Sequence, residues 1–220
     1  MDVGREKRAA AEAAAALVTD GMRVGLGTGS TVAFLLAALG RRRPDVRCVA
    51  TSPRTEAAAR ALGLRVERFG ALDALDLAID GADQVAPDRW LVKGGGGALT
   101  REKVVAAAAS RFVVIVDSSK LVERLHAPVP VELLAFGLAA TLRRLAPIAT
   151  RDAPRTPDGG VLADYLGPTD DPAALAARLS AAPGVVEHGL FEPALVASVL
   201  VGHGDAAAEL TAAEPPRGGP

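Results

Sequence analysis

Aromatic residues are scarce in this 220-residue chain, at 3%. Without stacking side chains it offers no platform for single-stranded nucleic acid. Positive charge is not in excess either: 25 Lys and Arg stand against 26 Asp and Glu, for a net charge of −1. A phosphate polymer needs a basic surface, so no nucleic-acid partner is expected. Cys48 is the only cysteine, so no intrachain disulfide can form, and a reducing, cytoplasmic setting is expected. No apolar run reaches about 18 residues, so no membrane span is expected. The N-terminal stretch is basic and then Ala-rich, but it carries Glu6 and Glu12. It reads as a helix rather than an export signal. His126, His188 and His203 are scattered without ligand spacing, so no histidine metal centre is expected.

Lysine is also rare. Lys7, Lys93, Lys103 and Lys120 stand against 21 Arg, in a composition that also holds 46 Ala. Against that drift, a retained Lys points to places where a compact ammonium fits and a planar guanidinium does not.

What remains is an ordinary globular chain. Half of its residues are hydrophobic and 23% are charged. A chain of this length buries roughly 70–75% of its unfolded surface, enough for a core without staples. Strands are expected at 22–27, 46–51, 64–68, 75–80 and 111–117. Helices are expected at 5–19, 32–42, 53–62 and about 100–110. RFVVIVD (111–117) is a continuous apolar run, as a strand covered on both faces requires. Strands alternating with helices predict an α/β fold with a parallel, doubly wound sheet. After Pro128 the order becomes βαββαβ, which predicts a smaller ferredoxin-like α+β unit. In it, residues 184–191 read as the last strand. Residues 197–204 then return as a strand to the first sheet. The expected division is 1–127 with 196–212 for the first domain and 128–195 for the second. Residues 213–220, rich in Pro and Gly, are expected to be a disordered tail.

Four short segments carry residues suited to chemistry. GLGTGST (25–31) joins a strand to a helix. Its glycines permit a tight turn, and helix N-terminal amides attract an anion such as a phosphate. Thr28, Ser30 and Thr31 add hydroxyl donors. It lacks the Gly-Lys-Ser/Thr ending of a Walker loop and the last Gly of a dinucleotide fingerprint. The plainer alternative is a glycine turn with a Ser or Thr N-cap. Asp80-Gly81-Ala82-Asp83 closes an apolar strand, where open α/β sheets bind ligands. Two carboxylates there suit sugar hydroxyls, a metal or proton exchange, or else form an Asx-type turn. Lys93 precedes four glycines, 94–97, which are entropically costly unless the backbone must approach a ligand or take positive φ. Thr100 then reads as an N-cap, with Glu102 in the first helical turn, where an acid also complements the helix dipole. Asp117-Ser118-Ser119-Lys120 follows the apolar strand 111–117 and reads either as a site or as a Ser cap beside an exposed Lys. Cys48 reads as inert core.

Together GLGTGST, DGAD, KGGGGALTREK and DSSK resemble ribose-5-phosphate isomerase of the A type, over about residues 5–205. The eleven-residue KGGGGALTREK is the most specific of these. The resemblance implies a cofactor-free aldose–ketose isomerase of the pentose phosphate pathway with no metal. It implies a Rossmann-like domain with a ferredoxin-like companion, in a homodimer. Its small-molecule substrate would be a phosphosugar. By that resemblance Glu102 matches the catalytic base, and Asp80, Asp83 and Lys93 surround the sugar's C1 and C2 oxygens. Thr28, Gly29, Ser30 and Thr31, then Gly81 and Ala82, then Gly94, Gly95, Gly96 and Lys120 match substrate-binding positions, and Lys7 reaches the phosphate. Three of the four lysines fall in this set. Gln84 departs from the Glu common after DGAD, and Phe136 from a common Pro. Two rivals are a metal-dependent hydride-shift isomerase, with Asp80, Asp83 and Glu102 as ligands, and a non-catalytic phosphosugar sensor.

Overall fold

A computed structural model describes residues 2–72 and 74–210. The tail expected at 213–220 lies outside them, as do residues 211 and 212. The chain opens with α1 (Val3–Ala16), β1 (Arg23–Leu26), α2 (Ser30–Arg42), β2 (Arg47–Ala50), α3 (Pro53–Ala61), β3 (Arg65–Val66) and β4 (Leu77–Asp80). Next come β5 (Gln84–Val85), β6 (Leu91–Val92), α4 (Leu99–Ala107) and β7 (Phe112–Asp117). The second part holds β8 (Val129–Leu133), α5 (Leu138–Leu145), β9 (Ile148–Thr150), β10 (Val161–Tyr165), α6 (Pro172–Ser180) and β11 (Val185–His188). The chain ends with β12 (Leu190–Phe191), β13 (Ser198–His203) and β14 (Ala206–Glu209).

The main sheet has the order β14-β13-β7-β4-β1-β2-β3. Its strands pair in parallel except for β14, which runs antiparallel to β13. From β1 the chain winds outward through β2 to β3, then returns to lay β4 on the other side of β1. The strand order therefore reverses between β1 and β4, which is where open α/β sheets bind their ligands. All six residues of β7 are buried, and they alternate between two cores. Val113 and Ile115 join the α1 and α2 side, while Val114 and Val116 join the α4 side. Small side chains on α1 (Ala10, Ala11, Ala14) are fully buried and let it lie close to the sheet. Cys48 is buried on β2, and that burial pushes its thiol up to about 12, as an inert core residue requires.

The second sheet has the order β11-β8-β10-β9, with every pair antiparallel. Numbered within the unit this is 4-1-3-2, the arrangement that βαββαβ predicts. Asp171 caps α6 by accepting from Ala174 N–H at 2.9 Å.

Three expectations need correction. The alternation of strands and helices predicts that all four candidate segments follow strands of one sheet, but the loop at 93–97 does not follow a strand of the main sheet. It follows β6, in a separate three-stranded sheet of order β12-β6-β5. Residues 184–191 are not one strand. At Gly189 the chain leaves β11 for β12, with Gly189 N–H donating to Pro130 O at 2.7 Å and Lys93 N–H donating to Gly189 O at 2.8 Å. Thr100 is not the cap of α4. Ala98 holds that position, and the Thr100 hydroxyl donates to the Glu132 carboxylate of β8.

Candidate active site

The site is built where β1, β4 and β7 end and the β6 loop crosses above them. Gly27 follows β1, and a Cβ there would lie 1.9 Å from Asp80 Cγ. Only glycine allows the two strand ends to approach this closely. Asp80 Oδ1 accepts from Thr28 N–H at 3.0 Å and from Gly81 N–H at 2.7 Å. Asp80 Oδ2 faces Lys93 Nζ at 2.9 Å, and Glu102 Oε2 faces the same nitrogen at 3.2 Å. Lys93 also donates to Gly81 O. Lys93, Asp80 and Glu102 are all buried, at 2%, 3% and 5% exposure. A buried ammonium survives only when paired, and here two carboxylates hold it.

The electrostatics follow from this packing. Burial, and then the charge of Asp80, push the Glu102 carboxyl up to about 8, against the pull of Lys93. Burial likewise pushes Asp80 above the usual carboxylate range, against Lys93 and its N–H donors. Burial alone would lower Lys93, but Asp80 and Glu102 outweigh it and hold the ammonium at about 12. Three groups thus share a water-poor spot with too few positive charges. At about 8, the Glu102 carboxyl lies within reach of proton exchange near neutrality.

Around this trio lies an open cleft. Asp83 lines one wall and accepts from Gly95 N–H at 2.8 Å. Gly81, Ala82, Gly94 and Gly96 supply backbone to the same walls. Gly94 has φ +102°, and a Cβ on it would sit 2.7 Å from Leu99 Cβ. A side chain there would force the loop off the start of α4. At the other end, Thr28, Gly29, Ser30 and Thr31 line the cleft with Lys7 and Lys120. The alternative reading, a Ser or Thr cap on α2, does not hold. Gly29 occupies the cap position, and no side chain caps the first turn. Its N–H groups are left for a ligand. Lys7 Nζ lies 2.9 Å from Ser30 Oγ and 3.9 Å from Asp117 Oδ2. Of the expected site residues only Asp80 does not line the cleft. It lies beneath, holding Lys93 from behind.

Some supporting residues carry no local signal in the sequence. Glu6 accepts from Ser118 N–H at 3.0 Å and from the Ser118 hydroxyl at 2.7 Å, which locks α1 and therefore Lys7 against the loop after β7. Thr28 Oγ1 joins a hydroxyl cluster with Thr51 and Ser52, each at 2.8 Å. Gln84 is buried and turned away from Asp83, exchanging 2.8 Å bonds with the His126 backbone. The side chain at position 84 is therefore spent on the His126 backbone rather than on Asp83. Phe136 is exposed and remote from the cleft.

A family model for ribose 5-phosphate isomerase A (phosphoriboisomerase A) matches residues 47–206. The chain belongs to the ribose-5-phosphate isomerase A family. It is 43% identical to ribose-5-phosphate isomerase A of Methanosarcina acetivorans, with 93% of each chain covered. It is 48% identical to the same-named protein of Methylorubrum populi, covering 88% of this chain and 91% of that one. The crystal structure of ribose 5 phosphate isomerase A from Neisseria gonorrhoeae superposes with a TM-score of 0.90 at 32% identity, covering 94% and 96%. A D-ribose-5-phosphate isomerase solved in complex with phospho-erythronic acid superposes with a TM-score of 0.89 at 33% identity, covering 95% and 99%.

Proposed function

We propose that this chain interconverts D-ribose 5-phosphate and D-ribulose 5-phosphate by proton transfer through a cis-enediolate. The observation that carries the reading is Lys93 held between Asp80 and Glu102 at one end of a cleft whose other end is a helix N-terminus. Glu102 takes the C2 proton of the open-chain aldose and returns it to C1. Its raised carboxyl suits that exchange near neutral pH better than an ordinary glutamate would. Lys93 stabilises the oxygen that gains negative charge as the enediolate forms. The pentose ring must open first, and Asp83, on the cleft wall, is better placed to assist than the buried Asp80. Ser30, Thr31, the first-turn amides of α2, Lys7 and Lys120 hold the phosphate. The phospho-erythronic acid bound to a structural relative supports a phosphorylated sugar chain in this cleft.

Lys93 Nζ fills the space between Asp80 and Glu102, where the hydride-shift rival would put a divalent ion. Among the described residues no three His, Cys, Asp or Glu side chains are grouped to hold a metal. No described helix is long and apolar enough to cross a membrane. We read the main sheet with its helices as one domain, 1–127 and 196–212, and 128–195 as a second. A homodimer working in the cytoplasm completes the reading, supported by the family and by the single cysteine. The test is ketose formation from ribose 5-phosphate after exhaustive EDTA treatment, with full activity expected. Activity restored only by a divalent ion would favour the hydride shift. No turnover at all would favour a phosphosugar sensor.

A further inference from the structure

The four-glycine loop lines the reacting end of the cleft, yet it has no side chains with which to hold itself in place. Besides its own turn and Asp83, it is gripped from the second sheet. Arg151 directly follows β9, and its backbone N–H donates to Leu162 O of β10 at 2.9 Å. Its Nε and Nη2 donate to the Asp164 carboxylate of β10 at 2.8 and 2.6 Å. That two-point contact fixes the plane of the guanidinium. The remaining nitrogen, Nη1, then donates to two successive loop carbonyls, Gly94 O at 3.0 Å and Gly95 O at 3.2 Å.

The consequence lies in the peptide planes. In a trans peptide the carbonyl and the following N–H point in opposite directions. Gly94 O and Gly95 N–H belong to one such plane. Arg151 and the loop's own Gly97 N–H, at 3.0 Å, share its oxygen, and Asp83 Oδ2 holds it by the nitrogen at 2.8 Å. Gly95 O and Gly96 N–H form the next plane, held by the same Nη1. Arg151 does not itself line the cleft.

We infer that Arg151, oriented by Asp164, is a positioning residue for the isomerase reaction: it sets the peptide planes of the glycine loop and, through Gly95, the direction of the Asp83 carboxylate. The inference rests on the isomerase reading. A lysine cannot take its place, because an ammonium has no rigid fork to serve a carboxylate on one side and two carbonyls on the other.

The test uses Arg151→Ala, Arg151→Lys and Asp164→Asn in the full chain. It reads kcat/KM for ribose 5-phosphate and amide hydrogen exchange across residues 93–98. Ångström-scale misplacement of reacting groups costs on the order of a hundredfold, so Arg151→Ala is expected to lose roughly thirty- to a hundredfold in kcat/KM. Exchange rises at the loop while β8 and β10 keep their protection. Added guanidinium ion restores part of the activity of Arg151→Ala and none of that of Glu102→Gln. Arg151→Lys and Asp164→Asn fall between parent and Arg151→Ala, and they carry the same comparison if the alanine variant does not fold. A kcat/KM within about threefold of the parent, on a scale where tenfold is about 1.4 kcal/mol, overturns the assignment. So does exchange that rises across the whole second sheet rather than at the loop. Exchange needs no substrate. A parent protein that fails to convert ribose 5-phosphate would sink the isomerase reading, and the loop data would still decide whether Arg151 holds the glycines.

Discussion

Replacing Glu102 by Gln should make the protein worse at its reaction and, above neutral pH, more stable. The carboxyl moves from its ordinary value of 4.5 to about 8 on folding, chiefly because it is buried and faces Asp80. The folded chain therefore binds this proton more tightly than the unfolded chain. Between those two pH values the folded state holds more protons, so the parent loses stability as pH rises. The loss is absent below the lower value and complete above the upper one. At about 1.4 kcal/mol per pH unit, the interval corresponds to a ceiling of about 5 kcal/mol. Glutamine carries no titrating proton, so its variant escapes this loss. At low pH the variant gains nothing and gives up the Glu102 contact with Lys93.

The assay is denaturant unfolding of both proteins between about pH 5 and pH 9, where titrating groups that do not interact with Glu102 cancel in the difference. The variant should gain on the parent through the window, by at least about 2 kcal/mol, and then level off. A difference that stays flat with pH, or a parent that gains on the variant as pH rises, would refute the electrostatic account of the site. Turnover should fall roughly 10²–10⁴-fold with substrate binding largely kept, the usual consequence of removing a general base.

Three further outcomes are expected. The kcat/KM of the parent should climb toward alkaline pH with a midpoint near 8, because Glu102 must be ionised to act as the base; a profile flat from about pH 6 to pH 9 would place the base elsewhere. Lys93→Arg should be nearly as damaging as Lys93→Ala, since the ammonium is 2% exposed and wedged between two carboxylates; near-parental turnover would show that any positive charge suffices. Ser30→Ala with Thr31→Ala should hurt ribose 5-phosphate far more than unphosphorylated ribose, and an equal loss in kcat/KM for both sugars would remove these hydroxyls from the phosphate site.

How much of this was visible in the residue string depends on how far apart the partners lie. Strands β1, β4 and β7 announce themselves because a strand buried on both faces must be apolar throughout. The two-residue strands β5, β6 and β12 have no period to detect. Without them the glycine loop reads as following a strand of the main sheet. Thr100 looks like a cap because nothing nearby reveals that its hydroxyl is used by Glu132. The cleft residues themselves were legible, since phosphate turns and glycine loops are contiguous motifs. The residues that hold the motifs in place were not. Glu6 meets Ser118 across 112 positions, and Arg151 meets Gly94 across 57. One global signal did reach across such distances. Lys7, Lys93 and Lys120 line the cleft, and the fourth lysine, Lys103, threads from α4 to Glu187 Oε1 at 2.7 Å and His188 O at 2.6 Å. Lys93 and Lys103 also flank the ring of the buried Phe191, at 5.4 and 5.0 Å. At such confined positions a planar guanidinium would collide with the walls that an ammonium clears. In a chain with 21 arginines, the few lysines retained thus mark the cleft and, at Lys93 and Lys103, the confined charged positions behind it.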